Sequence, residues 1–273
     1  MRFQANLSGI LLVILHVSVL GRTDIPANGK DAPGTLTFHG QGTAELFSKE
    51  INESFKAVLA KNYQAANHPY RPGYVTASID QRPWFDTMWT RDGGTFMREL
   101  VLWGYLHRAC LTADCLINLV QKNSEGYYTF PEYFKGIKPG SGAELDGTAS
   151  IIIAMVLLWQ RLEDHNSYKN EIYNFLHQES SPLGYIHKRL QTEPLIAGSG
   201  EFGGGCGIKG EWYNSVQNNL VFLALTAAAQ MEEQAKEKKT AQLYRRDAKT
   251  LSENMEKYLI DATGGWIWCL DPK

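Results

Sequence analysis

With 273 residues, 44% of them hydrophobic and 11% aromatic, the chain has enough apolar surface for one large core or two small ones. A net charge of −2 and the lack of any Lys/Arg run argue against a nucleic-acid surface. Seven histidines form no HxxxH or HxH pair and four cysteines no CxxC pair, so neither a metal nor another cofactor is expected.

In chain order, Met1-Arg2-Phe3 leads into an apolar run at 10–20, broken only by His16 and Ser18. That run is too short to span a bilayer and sits where a secretory h-region belongs. Residues 1–21 are therefore predicted to be a signal peptide, with export and no membrane attachment after its removal; an uncleaved anchor is the competing reading. Residues 22–40, polar and rich in Gly and Pro, read as a linker, and 41–273 as the folded domain. Export makes disulfides conceivable, and Cys110, Cys115, Cys206 and Cys269 allow three pairings. Cys110 and Cys115 flank a predicted helix start and are near enough in sequence to bridge; buried thiols are the alternative.

The domain opens with one short strand candidate at 74–79. Then come Trp84, Phe85 and Asp86, followed by Trp89-Thr90-Arg91-Asp92-Gly93-Gly94 and a helix whose Phe96, Leu100 and Trp103 share a face. A second helix is expected over 112–122. An acidic loop, Gly142-Ala143-Glu144-Leu145-Asp146-Gly147, precedes a helix over 151–162 that is apolar all round and hence buried in protein. Another helix follows over 169–178. A glycine-rich loop at 198–207 and the loop Gly210-Glu211-Trp212-Tyr213-Asn214-Ser215 precede an apolar helix over 216–231. The stretch 233–259, dense in charge with one apolar stripe, reads as an outer helix. A last aromatic loop is Gly264-Gly265-Trp266-Ile267-Trp268. Loops recur at intervals of about 55 to 65 residues, the size of a helical-hairpin repeat. The pattern predicts an all-α fold of inner and outer helices.

Three groups of residues suggest chemistry. Arg91 and Asp92 read in isolation as a helix-capping pair. Beside Trp84, Phe85 and Trp89 they read better as a saccharide clamp, because indole faces cover the apolar side of a sugar ring while charged groups bond its hydroxyls. Glu144 and Asp146 fit both roles, helix-start acids or hydroxyl acceptors. The glycine-rich loop lacks the Gly-Lys-Ser/Thr ending of a phosphate loop, but its Glu201, beside Phe202, and Glu211, beside Trp212, are candidates for a general acid. Glycoside hydrolysis needs one protonated carboxyl and one carboxylate, and semi-burial raises a Glu pKa in the required direction. Glu201 is preferred, because a helix predicted to start near Tyr213 would hold Glu211 charged. Serine-hydrolase and cysteine-protease signatures are absent.

The run Met88-Trp89-Thr90-Arg91-Asp92-Gly93-Gly94 resembles the Trp-x-Arg-Asp motif of glucoamylases and a related Arg-Asp motif in the glucosidase part of glycogen-debranching enzymes. Glu144-Leu145-Asp146-Gly147 is similar to the Asp-Gly that opens the next inner helix in glucoamylases, and residues 212–229 to the inner helix after the general-acid loop. The resemblance covers roughly residues 82–232 at the level of motifs. It implies a six-hairpin α/α barrel, or toroid. It further implies Arg91 and Asp92 clamping a terminal sugar with Trp89 at the ring, Asp146 near the same subsite, and an acid from the loop before Trp212. Glucoamylases carry a Glu-Glu pair in that loop, whereas Glu201 and Glu211 stand apart here. Six such hairpins need well over 300 residues at about 55 to 65 each, so an incomplete barrel lacking the late loop of the second carboxylate is expected.

These expectations amount to an exported glycoside hydrolase acting on terminal sugars of an oligo- or polysaccharide, with α-linked glucosides foremost. Its catalytic candidates are Glu201 and Glu211, and its binding candidates Trp84, Trp89, Arg91, Asp92, Glu144, Asp146 and Trp212. A non-catalytic carbohydrate-binding toroid is the alternative. Oligomeric state is left open.

Overall fold

Helices carry most of the described residues, and their burial follows the apolar spacing of the sequence. The computed structural model describes residues 43–62, 72–76, 87–140, 142–198 and 212–271; the predicted signal peptide at 1–21 and linker at 22–40 lie outside them. The helices are α1 (Thr43–Asn62), α2 (Thr90–Leu102), α3 (Leu106–Leu119), α4 (Leu145–Arg161), α5 (Ser167–His177), α6 (Pro182–Leu190), α7 (Ser215–Gln234) and α8 (Lys238–Tyr258). None of the described helices is long and apolar enough to cross a membrane.

In α4, Ile151, Ile152, Ala154, Met155, Val156 and Leu158 are all buried, as expected of a helix apolar on every side. In α8 only the stripe Ala241, Tyr244, Ala248, Leu251 and Met255 is buried with Asp247, and charged residues cover the rest. Helix α2 packs on α3, α4 on α5 and α7 on α8, while α2, α4 and α7 pack on one another in that order. Three helix pairs result, and the mutually packed α2, α4 and α7 are referred to below as the inner helices.

The inner helices run parallel, and close contacts show it at both ends. A Cβ on Gly94 would stand 2.7 Å from the backbone nitrogen of Ile151, and one on Gly147 2.3 Å from Thr90 Oγ1. So α2 and α4 start side by side, in backbone contact that only glycine permits. At the other end Tyr173 of α5 lies 6.1 Å, ring to ring, from Trp159 near the end of α4. Its hydroxyl donates at 3.0 Å to Glu232 near the end of α7, which places those two ends together.

Short strands hold the loops at the starting end. Strands β1 (Met88–Trp89), β4 (Tyr133–Lys135) and β5 (Lys138–Pro139) form one sheet, β2 (Gln121–Lys122) and β3 (Tyr128–Thr129) a second, and β6 (Ala197–Gly198), β7 (Trp212–Asn214) and β8 (Cys269–Leu270) a third. All pairings are antiparallel, with Trp89 opposite Tyr133 and Asn214 opposite Cys269. Strands of two or three residues are too short to show alternation, so the sequence did not reveal them.

Several boundaries differ from expectation. Helix α4 begins at Leu145, so Glu144 is its N-cap residue and Asp146 lies in its first turn. The expected helix at 112–122 is α3, which starts six residues earlier. Of the strand candidate at 74–79, Val75 makes an isolated bridge and 77–79 lie outside the described residues. Cys110 and Cys115 both lie within α3 and are buried. Five residues apart on one helix, their Cα atoms are about 8–9 Å apart, beyond the reach of a disulfide; the bridge between them is ruled out.

Candidate functional site

The site is built where β1 passes into α2 and the 130–134 segment returns to start α4. Tyr74, fully buried, ties the floor: its hydroxyl donates to the Phe134 carbonyl at 2.5 Å and accepts from the Met88 N–H at 2.9 Å. The Thr90 N–H donates to the Glu132 carbonyl at 3.1 Å, and the Glu144 N–H to the Phe130 carbonyl at 2.9 Å. Both helix starts are thereby fixed by backbone bonds to one five-residue segment. Neither has a side-chain cap: the N-cap residues are Trp89 and Glu144. Asp92 sits in the first turn of α2 with its carboxylate 44% exposed, 3.3 Å from Arg91 Nη2, which is where an acid that stabilises the helix start and pairs locally would lie.

On this floor Trp89 meets Tyr133 at 5.3 Å between ring centroids, tilted by 56°. Arg91 is the less exposed partner of its ion pair, at 18%, and its Nη1 is buried. Glu144 and Asp146 are buried, at 2% and 1% exposure, and Asp146 Oδ1 accepts from the Gly147 N–H at 2.8 Å. Thr90 Oγ1 lies 2.7 Å from the Pro131 carbonyl and 3.3 Å from Glu144 Oε2. A hydroxyl has one proton to donate, and the nearer carbonyl claims it. The Glu132 carbonyl, also at 3.3 Å, is a third acceptor within reach of the same hydroxyl.

Burial, and then the neighbouring Asp146 charge, push the Glu144 carboxyl up to about 8, with Glu132 adding to the rise and Arg91 and a donating Thr90 opposing it. At neutral pH this carboxyl holds its proton. The arrangement thus offers an aromatic wall, an exposed carboxylate paired with a largely buried guanidinium, and a buried carboxyl raised toward its neutral form.

The third inner helix repeats the design with different chemistry. Asn214 caps α7, its side chain accepting from the Gln217 N–H at 3.0 Å. Asn218, fully buried, bridges both sides of Ile196: its Oδ1 accepts from the Ile196 N–H at 2.9 Å and its Nδ2 donates to the Ile196 carbonyl at 3.1 Å. Trp212, half-buried on β7, pairs with Gly198 on β6.

The structure brings together Trp89, Arg91, Asp92, Glu144 and Asp146 from the sequence prediction. Trp212 lies at the start of α7, which is separated from α2 by α4. Trp84, Glu201 and Glu211 lie outside the described residues. One argument about Glu211 changes: α7 starts at Ser215 rather than near Tyr213, and β7 intervenes. Helix-dipole effects fall off within a turn, so the dipole no longer separates Glu211 from Glu201. Sequence reasoning missed Glu132, Tyr133 and Thr90; an acid between Pro131 and Tyr133 in an aromatic stretch is the signal that would have found two of them. No protein-family model, curated protein or solved structure matches this chain.

Proposed function

We propose that this protein is an exported glycoside hydrolase of the six-hairpin α/α-toroid architecture. It removes terminal sugars, α-linked glucosides foremost, from an oligo- or polysaccharide, with water as co-substrate and no cofactor. The observation that carries the proposal is the grouping of Trp89 and Tyr133 with Arg91, Asp92, Glu144 and Asp146 at two abutting helix starts. Three parallel inner helices, each with an outer partner, support the toroid.

In this scheme the Trp89 indole stacks on the ring of the terminal sugar. Arg91 and Asp92 bond its hydroxyls, and Asp146 shapes the same subsite. Glu144 carries a proton at neutral pH but is too buried to reach a glycosidic oxygen, so it acts as a positioning residue under Thr90. The general acid is Glu201 or Glu211, with Glu201 favoured because it belongs to a glycine-rich run whose backbone can fold over a substrate.

Leaving-group dependence tests the acid. Glu201→Gln should lose most activity on unactivated glucosides and keep more on activated aryl glucosides, which need little protonation. The same pattern from Glu211→Gln alone exchanges the two roles. If neither variant behaves so while saccharide binding persists, the protein is the non-catalytic carbohydrate-binding toroid instead.

A further inference from the structure

Two indoles of the last loop stand about half exposed at the surface. Trp266 is 45% and Trp268 49% exposed, and Ile137 is the other exposed large hydrophobic among the described residues. Exposure alternates from 265 to 269, with both indoles on the outward side. Residues two apart on extended backbone point the same way, about 6.6 Å apart.

Their backbone is firmly held. Ile260 bridges Trp266, the Ile267 N–H donates to the Leu259 carbonyl at 2.8 Å, and the Ser215 N–H donates to the Trp268 carbonyl at 3.1 Å. In the preceding turn Asp261 Oδ1 accepts from the N–H groups of Thr263 at 2.8 Å and Gly265 at 2.9 Å. A rigid backbone lowers the entropy cost of offering a flat aromatic surface to a ligand.

Their place in the fold matters as much. Ser215 is the first residue of α7, so the bond from its N–H puts Trp268 at the starting end of the inner helices, where Trp89 and Glu144 also lie. From α2 across α4 to α7 is two helix spacings, about 16–20 Å. The two indoles together expose roughly 200–250 Å², well short of the roughly 800 Å² per partner that a stable protein interface buries. The preceding turn carries the exposed polar residues Asp261 and Thr263. The area and the setting suit a few sugar rings.

We propose that Trp266 and Trp268 form a second saccharide-stacking platform, so that the ligand is an oligosaccharide of several units reaching from Trp89 to this loop. This rests on the proposal that the Trp89 site takes the terminal sugar. The test is a calorimetric titration of the purified protein with two-unit and six-unit malto-, cello- and xylo-oligosaccharides, with hydrolysis followed in parallel. In the wild type at least one six-unit chain should bind more tightly than its two-unit counterpart. Trp266→Ala with Trp268→Ala should erase most of that advantage, about 10-fold in affinity, while Trp266→Phe with Trp268→Phe retains part of it. Binding without hydrolysis of any chain would reject the enzyme and leave the platform standing. Equal affinity for long and short chains, no binding by any of them, or a wild-type dimer that the Ala variant dissociates in sedimentation would overturn the platform.

Discussion

Glu144 shows how a residue's chemistry depends on neighbours that its own stretch of sequence does not contain. The sequence read it equally as a helix-start acid or a hydroxyl acceptor, whereas burial beside Asp146 and Glu132 makes it a proton carrier with a pKa near 8. A carboxyl raised in the folded state binds a proton that the unfolded chain has released, so its stability contribution is full below about pH 4.5 and is lost as pH rises to about 8. Glu144→Gln keeps the neutral, hydrogen-bonding shape and should be insensitive over that window. Urea midpoints of variant and wild type should therefore diverge in the variant's favour between pH 5 and pH 8; a constant difference would refute the assignment. Arg91, Asp92 and Trp89 were legible as a cluster because they are adjacent in sequence. Tyr133 and Tyr74 were not, because antiparallel pairing and a buried hydroxyl, not periodicity, bring them to the site.

Among the elements, the inner helices were the most legible, because an all-round apolar run such as that in α4 leaves no polar face to put in water. Their exact starts were not, since capping at α2 and α4 comes from backbone bonds to residues 130–132 rather than from a side chain in the sequence. Helices α1 and α6 were missed. Helix α6 is announced only by Ser181, whose side chain accepts from the Gly184 N–H at 3.0 Å, and by Pro182 in its first turn. Gly94 gives the sharpest element-scale test. Replacing a mid-helix glycine by alanine ordinarily stabilises by about 0.5–1 kcal/mol. Here the new methyl would meet backbone atoms of Ser150 and Ile151 at 2.7 Å, which cannot rotate aside. Overpacking of this kind costs about 1–3 kcal/mol, so Gly94→Ala should lower the melting temperature by several degrees. A rise would mean that α2 and α4 do not touch here.

At the scale of the whole molecule, three hairpins with parallel inner helices gather aromatic and acidic side chains at one end, and the proposed toroid and hydrolase both grow from that arrangement. Its proposed export is checked by N-terminal sequencing of secreted protein, which should begin near Arg22; an intact Met1 on intracellular material would count against it. The pattern of inner and outer helices was readable from hydrophobicity alone. The sharing of one end by all three starts was not, because it is set by the contacts of Gly94, Gly147 and Tyr173 across the helix layer. The central claim, that Arg91 and Asp92 hold a sugar for hydrolysis, is tested most directly by glucose release from maltotriose, with thermal stability measured alongside. Protein that carries both hydrolytic carboxylates should release glucose. Asp92→Asn should slow that release on the order of 100-fold, the scale of a misplaced substrate, while stability stays within about 1 kcal/mol, the scale of a lost cap. Unchanged kinetics in Asp92→Asn, or a wild type that neither binds nor cleaves the trisaccharide, would contradict the account.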